Sequence, residues 1–252
     1  MSHSRPLHAL TAAALVAAVV LGPAHVAAAA PAQDLPTADQ LKAALLTVDD
    51  VGPGYTEVPT TSSPAPGENP SPASGCDALS ALINMHADAT PTPGSPHVEA
   101  ELDGEDGNPM VTENLTAEDA GKLTTDFNTA TDAFRTCHQI TFNAGTEDSV
   151  SFTVAPVTLG DRPDAPAVRL DGTLAGVQLN AYIGIERFGT VAMVFGFFQR
   201  QDAGSQEASF QYRTAVAKAE RTLGSTAGST TPPTLPTTTR SGGTSGTQPA
   251  AV

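Results

Sequence analysis

The chain has only two cysteines, Cys76 and Cys137, and no C-x-x-C pair, which argues against a redox or nucleophilic thiol. Cations are equally scarce. Twelve Lys and Arg face 27 Asp and Glu, for a formal net charge of -15 at pH 7. So acidic a surface repels nucleic acid and anionic lipid heads, so no nucleic-acid partner is expected. Catalytic signatures are absent too. There is no G-x-S-x-G, no H-E-x-x-H, no phosphate-cradling glycine loop and no S-x-x-K. No catalytic residue, cofactor or metal is expected, and the chain reads as a protein other than an enzyme.

What is present begins with an export signal. Arg5 forms a short basic region, Leu10 to Leu21 is apolar but too short to cross a bilayer, and Ala30-Pro31-Ala32 reads as a cleavage box. Residues 1–32 are therefore expected to be a signal peptide, with the mature chain starting near Gln33. No cysteine lies near that point to take a lipid, and no later stretch is long and apolar enough to span a membrane. The expected location is secreted and extracellular. In an oxidising compartment the isolated pair Cys76 and Cys137 is most simply a disulfide. Closing a loop of about 60 residues constrains the unfolded chain by about 4 kcal/mol.

Residues 33–224 read as one α+β domain. Residues 225–252, rich in Thr, Pro, Ser and Gly, read as a disordered tail without apolar periodicity. Thr60 to Ser74 reads as an internal loop. A first helix opens at Thr37, whose spacing to Gln40 is that of a capping box, and runs to about Thr47 before the turn Gly52-Pro53-Gly54. A short second helix covers Cys76 to Asn84, with Leu79, Leu82 and Ile83 inward. A long third helix is capped by Thr116 and repeats Ala120, Leu123, Phe127, Ala130, Phe134 and Cys137 along one face. Ser205 to Leu223 forms the last helix, burying Ala208, Tyr212, Ala215, Ala219 and Leu223.

Between the helices lie strands. His97 to Leu102 and Met110 to Asn114 form a hairpin. His138 to Asn143, Val150 to Val154, Ala167 to Leu174, Val177 to Glu186 and Val191 to Phe198 follow, with Ala175-Gly176 as a tight turn. Val191 to Phe198 is apolar almost throughout, so both its faces are expected to be covered. Strands joined by short turns imply a twisted antiparallel sheet with helices packed on it and one disulfide.

Polar residues that could line a cleft fall on neighbouring strands: Arg169, Tyr182, Glu186 and Arg187. His138, directly after Cys137, joins them as a further ligand-binding candidate. The mature chain's histidines, His86, His97 and His138, are far apart in sequence. The acidic turn Asp103 to Asn108 has oxygens for a weak calcium site, but Gly107 falls where a ligand is needed, and it reads as a solvated turn. Asn114-Leu115-Thr116 is a formal glycosylation sequon expected to stay unmodified, because Thr116 is taken up as a helix cap.

Three segments together resemble a known family. They are Leu45-Leu46-Thr47-x-Asp49-Asp50-Val51-Gly52-x-Gly54-Tyr55, then Phe127 with Phe134-Arg135-Thr136-Cys137, and Arg187-Phe188-Gly189-Thr190-Val191. Over about Leu41 to Leu223 the chain resembles the PknH-like extracellular sensor domains of actinobacterial receptor kinases, secreted proteins and lipoproteins. Family members commonly carry Trp where this chain has Phe134, and often two disulfides where it can form one. The resemblance implies a twisted sheet with a cleft for an unidentified ligand, and no catalytic residues to carry over. The expected function is a noncatalytic binding or sensing module for a small molecule or a cell-envelope component. The rivals are a secreted hydrolase with dispersed catalytic groups and a cell-wall interaction protein.

Overall fold

The computed structural model of the chain describes residues 35–59, 73–81, 95–143, 149–201, 204–224 and 226–227. The expected signal peptide, the start at Gln33, residues 60–72 of the expected loop, Leu82, Ile83, His86 and the tail from 228 onward lie outside them.

Capping sets the first elements. Helix α1 (Ala38–Ala44) begins at Thr37, whose hydroxyl accepts from Gln40 N while its own N–H donates to Gln40 Oε1. It ends earlier than its apolar pattern implies, because Leu45 turns extended. The Thr47 N–H and hydroxyl then both donate to Asp50 Oδ2, opening a separate short helix, α2 (Val48–Val51). Gly52 closes it at φ 102°, a conformation that favours glycine.

After β1 (Thr56–Val58) and β2 (Ala73–Ser74), residues 77–81 are helical (α3). The expected hairpin follows as β3 (His97–Asp103) and β4 (Met110–Ala117). The sequence places the start of the long helix at Thr116, and the structure corrects this. Strand β4 stays paired with β9 as far as Ala117, so Thr116 is a buried strand residue. The cap is Asp119, whose carboxylate accepts from Gly121 N and Lys122 N, and α4 runs Ala120–Thr136. The remaining strands are β5 (Gln139–Asn143), β6 (Ser149–Pro156), β7 (Ala167–Leu174), β8 (Val177–Phe188) and β9 (Val191–Arg200), followed by α5 (Ser205–Leu223). Ala175 and Gly176, both at positive φ, make the tight β7–β8 turn.

Among the described residues nine strands join one antiparallel sheet in the order β1-β3-β4-β9-β8-β7-β6-β5-β2. The two strands that the sequence did not reveal, β1 and β2, are its edges. Alternation along each strand then divides the core in two. On one face Leu102, Val111, Leu115, Phe188, Met193, Phe195 and Phe197 pack with α1, α2 and the inner stripe of α5. On the other, Ile140, Phe142, Phe152, Val154, Val168, Leu170 and Ala181 pack with Leu79 of α3 and Ala130, Ala133 and Phe134 of α4. The Cys76–Cys137 disulfide ties the start of α3 to the end of α4, with Cα atoms 5.8 Å apart. As expected, β9 is central and covered on both faces: Val191, Met193, Phe195 and Phe197 are fully buried under α5, while Val194 and Phe198 are half-buried against the α4-side core. Beyond α5, Ala227 is also buried and its carbonyl accepts from Thr190 N. No described helix is long and apolar enough to cross a membrane.

Candidate functional site

The helices cover different parts of the two faces, and this creates a step. On the face that carries α5, the cover extends over β4, β9 and β8. Across β7 it gives way, and the next residues on that face, Ser151, Thr153 and Ala155 of β6, are exposed. Arg169 and Asp171 stand at the boundary, each about one-third exposed (31% and 33%).

Their side chains are held from several directions. Arg169 Nε and Nη2 both donate to Asp171 Oδ1 at 2.7 Å. Buried Asn180, opposite Asp171 on β8, donates its amide to the same oxygen. The Arg169 guanidinium lies 5.8 Å from the ring centroid of Tyr182, its register partner. Three donors thus converge on Oδ1. Oδ2 of Asp171 and Nη1 of Arg169 take no partner among the described residues. The step offers one fixed anionic acceptor beside one fixed cationic donor, facing solvent.

Glu186 lies on the same face and is deeply buried. Arg162, from the β6–β7 connection, reaches its Oε1 at 3.2 Å, and the Tyr212 hydroxyl of α5 donates to its Oε2 at 3.3 Å. Burial pushes the Glu186 carboxyl above its ordinary range, while Arg162 pulls it back down. Burial likewise pushes the Tyr212 phenol well up. Neither group reaches solvent, so the cluster ties the β6–β7 connection to α5. Arg187, one residue on, points to the opposite face, where it donates to Thr124 and lies 6.0 Å from the Phe127 ring centroid. His138 is exposed just before β5. Of the five expected residues, then, Arg169, Tyr182 and Glu186 share a face, and Arg187 and His138 stand apart from them.

A second polar group, not recognised in the sequence, occupies the α4 side of the β3–β4 hairpin. His97 Nδ1 lies 3.1 Å from Thr116 Oγ1, Asn114 Nδ2 lies 3.4 Å from His97 Nε2, and the Thr116 hydroxyl donates to Asn114 Oδ1 at 3.4 Å. With a neutral imidazole a closed ring of hydrogen bonds joins the three side chains, its direction set by which ring nitrogen carries the proton. Burial lowers the His97 pKa, which favours this neutral form. Asn114 and Thr116 are 3% and 2% exposed, which leaves the sequon out of reach in the folded chain. The acidic turn is occupied from within: Arg200 Nη2 donates to Asp106 O and Arg200 N to Asn108 Oδ1. Among the described residues, no three His, Cys, Asp or Glu side chains come together to hold a metal.

The architecture is that of an antiparallel α+β domain stapled by one disulfide. Solved structures similar to the chain include the extracellular domain of PknH from Mycobacterium tuberculosis, at 14% sequence identity and a TM-score of 0.48, covering 75% of this chain and 98% of that one. No protein-family model matches the chain, and no curated protein matches it. Those values assign the chain to no family.

Proposed function

We propose that the chain is a secreted, extracellular, noncatalytic binding or sensing module that takes a small molecule or a cell-envelope component at the Arg169–Asp171 step. The observation that carries this reading is the preorganised pair itself. A guanidinium N–H and a carboxylate oxygen stand side by side, partly exposed, with the rest of their hydrogen bonds already made. Such a pair complements a group with both an acceptor and a donor, such as an amide or neighbouring hydroxyls, and loses little entropy on binding it. The exposed Ser151 and Thr153 beside it extend a neutral polar floor for the remainder of a ligand. Against the hydrolase reading stands the burial of Glu186 and Tyr212, which keeps both groups from a substrate.

The test compares the intact chain with Arg169→Ala in two assays. One is co-sedimentation with purified bacterial cell-wall sacculi. The other is native mass spectrometry of protein recovered from its own culture fluid. Losing a charge-assisted hydrogen bond should weaken retention, or deplete a co-purifying mass, by roughly tenfold or more. Binding that is equal in both proteins, or binding by neither in either assay, overturns the proposal.

A further inference from the structure

Glu113 is a carboxylic acid in the middle of the α5-side core. It lies on β4 between the register neighbours Ala100 of β3 and Phe195 of β9, and it is 1% exposed. Its Oε2 accepts from Leu46 N at 2.6 Å, in the extended corner between α1 and α2. Its Oε1 is buried with no partner. The charged groups that face it are Asp50 of α2 and Lys218 of α5, which are paired with each other at 2.5 Å. Helix α1 adds Leu41 and Ala44 to the same core, and Ala100 and Phe195 carry no charge.

We infer that Glu113 is a proton-held latch: neutral, it leaves Lys218 paired with Asp50 and so keeps α2 fastened to α5, and ionised, it draws Lys218 from Asp50 and loosens the α1–α2 corner. The neutral acid needs no counter-ion, and leaves only one buried O–H without an acceptor, a smaller cost than an uncompensated charge. The anion needs a counter-ion, and the cation facing it is already held by Asp50. Burial pushes the carboxyl up to about 8 from an ordinary 4.5, with the Leu46 bond and Lys218 pulling partly back. The folded chain therefore binds the proton more tightly than the unfolded chain. Stability from this group is complete below the ordinary value, falls as pH rises, and is lost once pH passes about 8. The inference stands apart from the binding reading, since the latch lies under α1 and α2 rather than at the step.

The experiment is an NMR titration of the intact chain, following the Glu113 carboxyl carbon and the Leu46 amide proton together. Both should move with one midpoint near 8, and hydrogen-exchange protection of residues 46–51 should fall across it. Glu113→Gln should abolish the amide transition and hold protection constant. Lys218→Gln should push the carboxyl midpoint higher, because it removes the cation that pulls it down and leaves Asp50 unpaired beside it, and should make protection of α2 independent of the Glu113 titration. A carboxyl that titrates in the ordinary acidic range overturns the latch even if Glu113→Gln fails to fold. So does a protection loss that is the same in Glu113→Gln.

Discussion

Tyr212 shows how much of this molecule depends on side chains that are missing. Its ring sits between Gly184 of β8 and Gly160 of the β6–β7 connection, where an added Cβ would come within 2.5 Å and 2.7 Å of ring atoms. Both glycines have ordinary negative φ, so the requirement is for room rather than for an unusual backbone. That room lets the hydroxyl reach Glu186 and the ring meet Phe195 edge-on at 5.5 Å. Gly184→Ala should therefore force the ring off its site. The expected cost is about 1–3 kcal/mol of unfolding free energy, read from urea denaturation. The β6–β7 connection should also become more open to protease, because Arg162 loses a fixed Glu186. A neutral stability change would show that the ring has space to retreat.

At the scale of elements, the disulfide joins parts that little else connects. The described part of α3 places Leu79 in the α4-side core, and among the described strands β2 pairs with β5 alone. Replacing both Cys76 and Cys137 by Ala should cost about 2–4 kcal/mol in urea denaturation. The added exchange should appear first in β2 and α3, while α5 stays protected. Equal loosening of α5 would contradict the division into two cores. The elements that the sequence reveals are those with a long period. The stripe of α5 was legible because all five of its expected residues are buried, and the odd-numbered face of β8 because alternation held from Leu179 to Ile185. Strands of two or three residues, as in β1 and β2, are too short to display alternation, and edge pairing leaves no other mark. Thr116 reads as a cap in the sequence because hydroxyl residues suit caps and strands alike. Only pairing with β9 decides between them. The site was legible in part for the same reason. Arg169 and Tyr182 could be placed on neighbouring strands, but the register that sets Asp171 against Asn180, or His97 against Thr116, is a tertiary fact. Arg162 lies in a connection with no periodicity and could not be foreseen.

At the scale of the whole molecule, one wide sheet carries helices on both faces, and among the described residues neither face is completely covered. The uncovered remainder on the α5 side is polar and little charged, in a chain whose net charge is -15. A fixed Arg–Asp pair at the edge of that remainder is where a neutral polar ligand would gain most, since both charges are already partnered and desolvation costs little. The most direct test is a backbone-amide NMR map of the intact protein during addition of soluble sacculus fragments or a ligand recovered from its culture fluid. The account predicts perturbations centred on residues 151–155, 169–173 and 180–182, with α4 unaffected. Perturbations centred instead on His97, Asn114 and Arg187 across the sheet, or none at saturating fragment concentration, would contradict it.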